Sequence, residues 1–282
     1  MTDRTVAFVA GADPQPGTGI LHPFPTVDLP HLDPFVFLDT GEPRVLGDAE
    51  IYVGPHAHRG VQPVSLLFRG RIEHRDSLGN HRTVHSGGIQ WLVAGSGALH
   101  EEVLGGDEDG VFHMAQLWVN VPAARKLDPP AHHALPAEAV PELTDLGPGS
   151  RLRLYAGTVG SSTGPAPLPV PVLVAHVVLA AGGRVTVPVP TGWTAAATVV
   201  GGAVEAGDRQ LGPGDTPVFA DDGSTVTVGG GVGGGELLLM CGQPIGEPIV
   251  MGGGYVMNTS EEITAAFADE RAGRLGSLAA SR

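Results

Sequence analysis

Two short stretches carry residue types suited to holding a metal, His56-Ala57-His58 and His100-Glu101-Glu102. On an extended strand, side chains at i and i+2 leave the same face. His56 and His58 therefore point together, as do His100 and Glu102, while Glu101 faces the other way. If the two strands are neighbours, three imidazoles and one carboxylate converge on one point. That donor set suits a divalent transition metal such as iron, manganese, copper, nickel or zinc, with two coordination positions left for substrate or oxygen. Taken alone, each pair also reads as ordinary surface or core histidines, so the intervening segment has to decide.

That segment supplies the strands. Val64 to Ile72 is a β-rich run, and Asp76-Ser77-Leu78-Gly79-Asn80 is a hairpin turn with Gly and Asn where positive φ is needed. Ile89 to Ala94 is a second apolar strand, and Gly95-Ser96-Gly97 makes a tight turn that delivers His100. Both pairs then belong to one small antiparallel unit, the setting of a barrel-interior site.

Five further stretches carry a resemblance: "PHAHRGV", "GRIEHRDSLGN", "IQWLVAGSGALHEE", "QLWVNVPAARKLDPP" and, near the end, "EPIVMGGGYVMNTSEEI". The first four resemble the N-terminal cupin signature of the pirin family, and the last its C-terminal signature. The resemblance implies an all-β bicupin, two cupin-type β-barrels with a short C-terminal helix. It implies one metal, usually iron and here expected as Fe(II), in the first barrel only. The family's ligands fall on His56, His58, His100 and Glu102, the four that strand parity selects. Some pirins resemble quercetin 2,3-dioxygenases in activity. The first expectation is therefore a dioxygenase acting on a flavonol-like enolic or aromatic substrate with dioxygen, with Glu102 as ligand and catalytic base together. The alternative is an iron-containing, redox-sensitive regulator that binds a transcription factor or a metabolic enzyme. Three positions depart from the family pattern. Gln62 stands where an acid is frequent, Pro63 where a Thr is common, and Ser96 where an Arg is frequent.

Composition bounds the rest. The chain has 282 residues, 42% hydrophobic and 16% charged, with 43 Gly and 25 Pro, a balance that fits an all-β protein of short strands and many turns. Its net charge of −14 offers no basic footprint, so direct nucleic-acid binding is not expected. Cys241 is alone, in an apolar run that reads as a buried strand. No stretch approaches a membrane span and no signal segment opens the chain, which makes the cytoplasm the default.

The domain boundary is expected near residue 140. Residues 1–140 form the metal-binding barrel; residues 141–282 form a metal-free barrel with the C-terminal helix. Counting along the second half to the positions of the ligands gives Pro188-Val189-Pro190 and Thr227, without imidazole or carboxylate. Phe112 to Val121 alternates, making Gln116 and His113 candidates for a supporting role, while His132-His133 in a Pro-rich stretch reads as solvated loop. Thr259 and Glu262 form a capping box, Ile263, Ala266 and Phe267 an apolar stripe, and Gly273 a stop, which together predict a helix that docks on a barrel.

Overall fold

The run from Val64 to Ile72 is two strands, because Gly70 turns the chain back on itself. Its φ of +104° lies in the region that favours glycine, and a Cβ there would sit 2.6 Å from the Gly105 carbonyl oxygen and 2.7 Å from the Phe112 ring. The reversal separates Val61–Arg69 from Arg71–Asp76 and sends them into different sheets. The structure, a computed structural model, describes residues 2–278. It divides into two compact units by contact density, Met1–Glu42 with Glu138–Pro244, and Pro43–Ala137 with Ile245–Arg282. Both ends of the chain thus group with the half other than the one that contiguous domains 1–140 and 141–282 would give them.

The second unit holds the predicted site. One of its sheets runs, in hydrogen-bonded order, Glu50–His58, Ala98–Gly105, Arg71–Asp76 and His81–His85, all antiparallel. A second set of antiparallel strands runs Ala131–Leu135, Ile89–Val93, Val61–Arg69 and Val111–Asn120. His132 and His133 are part of this set, paired with Leu92 and Trp91. They form strand rather than the solvated loop expected of them, since the prolines flank the strand and leave its interior N–H groups free to pair.

The helix Ser260–Arg271 carries the predicted capping box. The Thr259 side chain accepts from the Glu262 N–H, and the Glu262 carboxylate accepts from the Thr259 N–H, a device typically contributing about 1 kcal/mol. Ala266, Ile263 and Phe267 pack with Ala57, Leu99, Tyr255 and Leu275. Ala57 and Leu99 alternate with the histidines along their strands, so the helix covers the outer face of the sheet whose inner face holds the imidazoles. Lys126, the sole lysine, is buried and donates to the carbonyls of Gly60 and Val256 and to Asn120 Oδ1 at 2.8, 2.9 and 2.6 Å. It clasps the C-terminal segment to the strands around residue 60.

The other unit is a β-structure around a Val-, Leu- and Ala-rich core. Its long strands Thr194–Ala206 and Thr225–Gly242 pair antiparallel, with Val172–Leu179 on the far side of the latter. Cys241 is buried there, and burial pushes its thiol up to about 12, as expected of a packing cysteine. No helix among the described residues is long and apolar enough to cross a membrane.

Candidate metal centre

Pairing places His100 opposite His56 and Ala98 opposite His58. The ring centroids of His56, His58 and His100 lie 4.1 to 5.1 Å apart, and one nitrogen from each falls within 4.8 Å of the other two. His58 and His100 are buried; His56 is half-buried. Between His100 and Glu102 the register shifts, with Glu102 opposite Val53. Two steps on the His100 strand meet three on the His56 strand, so the bulge lies at Gly54-Pro55. On its other side, the His100 strand keeps unbroken register with Arg71–Asp76. Its parity therefore survives. Glu102 is buried on the inner face, while Glu101 points outward to Arg75 at 3.2 Å and to the Tyr52 hydroxyl at 2.7 Å.

Each imidazole is oriented by its Nδ1. That of His56 lies 2.8 Å from the Gly54 carbonyl oxygen and that of His58 3.0 Å from the Gly254 carbonyl oxygen. That of His100 lies 3.3 Å from Nδ1 of His74. Nε2 of His58 and of His100 are buried without a partner. A buried orphaned lone pair is costly, and a cation held among the three rings would satisfy it. Burial, reinforced by the neighbouring histidines, pushes His58 down to about 3 and His100 well below the usual imidazole range. These rings are held neutral, the state that ligates metal. Trp118 packs edge-on against His58, with centroids 4.9 Å apart.

Glu102 shares a second donor group with His74 and His100 rather than with His56 and His58. Its Oε1 accepts from Gln90 Nε2 at 2.6 Å and lies 3.7 Å from His74 Nδ1 and 3.9 Å from His100 Nδ1. A third group joins His74, Asp76 and His132. His74 and His132 stack face to face, with centroids 3.7 Å apart and planes 5° from parallel. Burial works against ionisation of Asp76, but bonds from His74 and Asn80 outweigh it and hold the carboxyl at about 2. Burial also opposes a charge on His74, yet Asp76 and Glu102 carry its pKa above the usual value. Beside His100 and Glu102 lies a small void of about 10 Å³, walled in part by Ser65, His74, Gln90, Gln116 and His132.

The sequence reading therefore named three converging imidazoles and a neighbouring carboxylate, and missed His74, Asp76, Gln90 and His132. The signal for the first two was present in the i, i+2 spacing of His74 and Asp76 on the strand leading into the predicted hairpin. Gln116 lines the void, whereas His113 packs on Phe68. Pro63 also walls the void, Gln62 is buried, and the carbonyl of Ser96 accepts from Arg59 Nε at 2.7 Å.

Known proteins bear on this arrangement. The family model described as Pirin matches residues 18–119, and that described as Pirin C-terminal cupin domain matches residues 174–276. A Pseudomonas aeruginosa protein provisionally named a quercetin 2,3-dioxygenase is 33% identical over 249 residues, spanning 86% of this chain and 87% of that protein. Pirin of Homo sapiens is 30% identical over 257 residues, spanning 88% and 85%. The crystal structure of a quercetin 2,3-dioxygenase from Acinetobacter baumannii matches with a TM-score of 0.90 at 31% identity, covering 98% of this chain and 99% of that one.

Proposed function

The chain belongs to the pirin family, and from that premise we propose that it is a cytoplasmic metal-dependent dioxygenase acting on a quercetin-like enolic substrate. One divalent metal, Fe(II), would be held by His56, His58 and His100, with Glu102 as the fourth ligand. The observation that carries the reading is the set of three clustered imidazoles whose Nδ1 atoms are each engaged, two by carbonyls and one by His74, with the Nε2 atoms of His58 and His100 buried and without a partner. Such outer hydrogen bonds are how proteins set the tautomer of metal-ligating histidines. The similarity to proteins named quercetin 2,3-dioxygenases supports the substrate class.

When bound, the ion supplies Lewis acidity and one-electron chemistry to an enolate and dioxygen. The rest falls to the chain. Glu102 accepts the substrate hydroxyl proton at Oε1 or Oε2, and Gln90 holds that carboxylate by its 2.6 Å bond. Ser65, Gln90 and Gln116 offer hydrogen-bonding groups on the wall of the void. At about 10 Å³ the void has room for about one water, far below the roughly 300–1,000 Å³ of pockets that enclose drug-sized ligands.

The test is oxygen uptake with quercetin by the full chain loaded with one equivalent of Fe(II). Stoichiometric oxygen consumption and ring-opened product are expected. Metal bound at the histidines without turnover, together with a protein that co-purifies in stoichiometric amount, overturns the enzymatic reading in favour of the regulatory one.

A further inference from the structure

His100 is oriented differently from its two companions. His56 and His58 place Nδ1 against backbone carbonyls, which can only accept. The partner of His100 is an imidazole nitrogen, His74 Nδ1, at 3.3 Å. Two such nitrogens at this distance share a single hydrogen, so one ring must donate and the other accept. Which is which depends on the far side of His74. There Nε2 lies 3.1 Å from Asp76 Oδ2, with both side chains buried. The Asp76 carboxylate is fixed in place by the hairpin it opens. Oδ1 accepts from the N–H groups of Leu78 and Asn80, each at 2.9 Å, and Oδ2 accepts from the Asn80 side chain at 2.8 Å. A carboxylate so held has nothing to donate, so His74 Nε2 must carry a hydrogen.

A cation beside His100 disfavours a second positive charge on His74, and in the neutral ring that leaves His74 Nδ1 as an acceptor. The shared hydrogen then belongs to His100 Nδ1, and the lone pair of His100 sits on Nε2, the buried atom without a partner. We propose that His74 and Asp76 are positioning residues which fix His100 as its Nδ1–H tautomer through an Asp76–His74–His100 chain. The chain runs from the turn at residues 77–80 to the metal position and makes His100 a ready ligand. Because the three residues sit on two adjacent strands in unbroken register, with His100 opposite Asp76 and Glu102 opposite His74, the hairpin sets their spacing. This inference rests on the metal reading above. The same atoms have one competing use. His74 Nδ1, His100 Nδ1 and Glu102 Oε1 are separated by 3.3, 3.7 and 3.9 Å, edges that a second cation could also span.

The metal-stripped full chain is titrated with Co(II), which shifts the N–H protons of the imidazoles that bind it. The wild type is expected to take one Co(II) and to show three solvent-exchangeable shifted resonances in the proton NMR spectrum, one per ligating ring. Asp76→Asn keeps Oδ1 for the turn but presents an N–H to His74 Nε2. That inverts the tautomer of His74 and sets its Nδ1–H against the Nδ1–H of His100. This variant, and His74→Phe, should lose one exchangeable resonance and bind Co(II) roughly 10–100-fold more weakly. His74→Asn, whose carbonyl oxygen stands near the former Nδ1, should restore most of both, and it reports the chain even where His74→Phe folds poorly. Unchanged affinity with all three resonances in Asp76→Asn and His74→Asn alike overturns the inference while leaving the metal reading intact. Two tightly bound Co(II) ions, the second abolished in His74→Phe, overturn it by making His74 a ligand. A wild-type chain with no shifted imidazole resonance removes the metal reading itself, and this inference with it.

Discussion

Gly54 and Gly254 hold the two ligands of the His-x-His pair through their carbonyls, yet only one of them has room for a side chain. A Cβ on Gly254 would lie 1.9 Å from the Ala57 carbonyl oxygen and 3.0 Å from His58 Nδ1. Real Cβ atoms essentially never approach other heavy atoms within 3.0 Å, so Gly254→Ala must push the two backbones apart by more than an ångström. The His58 Nδ1 contact with Gly254, now 3.0 Å, then leaves hydrogen-bond range. Overpacking of this kind costs about 1–3 kcal/mol of stability. Freeing a ligand from its outer partner costs roughly 10–100-fold in metal affinity, or about 1.4–2.7 kcal/mol. On Gly54, by contrast, the added Cβ meets nothing nearer than a Tyr52 ring carbon at 3.7 Å, an ordinary contact. Gly54→Ala should therefore stay within about 0.5 kcal/mol in stability and bind metal as before. Competition against a chelator of known affinity, with thermal melts of the apo-protein alongside, reads both quantities. Wild-type affinity in Gly254→Ala, or an equal loss in Gly54→Ala, would refute the argument that these carbonyls orient the ligands.

Glu102→Gln removes a buried carboxylate next to His100 and should weaken metal binding and abolish oxygen uptake, whereas Glu101→Gln, which touches only surface Arg75 and Tyr52, should change either by no more than about 1 kcal/mol; the opposite pattern in metal content and turnover would mean the strand faces the other way. Elemental analysis of the loaded protein should give one tightly bound metal per chain, since the positions counted in the second half fall on Pro188, Val189, Pro190 and Thr227; two would contradict it. Burial lowers the ammonium of Lys126 to about 8 from 10.5. The folded chain then releases this proton before the unfolded chain does, so stability rises with pH between about 8 and 10.5, by up to about 3 kcal/mol. The stability difference between wild type and Lys126→Met, measured by urea denaturation, should grow in favour of wild type over that window, and a flat difference would show that the ammonium is not strained.

Strand parity is a local property, and the ligands were legible through it. His56 with His58, and His100 with Glu102, share faces whatever the strands pair with, because the alternation depends only on extended backbone. The C-terminal helix was legible for the same reason, since Thr259 and Glu262 lie within one turn of each other. What surrounds the ligands was not local. His74 became the neighbour of His100 only because Gly70 reverses the chain and brings Arg71–Asp76 to the free edge of the His100 strand, in a register that Gly105 opposite Arg71 helps to set. The outer partner of His58 is the Gly254 carbonyl, 196 residues away, and the clasp at Lys126 joins residues 60, 120 and 256. The apolar stripe of the C-terminal helix could have docked on any β-sheet, and its place on Ala57 and Leu99 followed from that same crossing of the chain. Residue type and spacing along one strand thus determined which groups could bind a metal. Cross-strand register and contacts between distant segments decided how each ring is turned, because a hydrogen bond is specified by positions in space and the sequence orders only the positions along the chain.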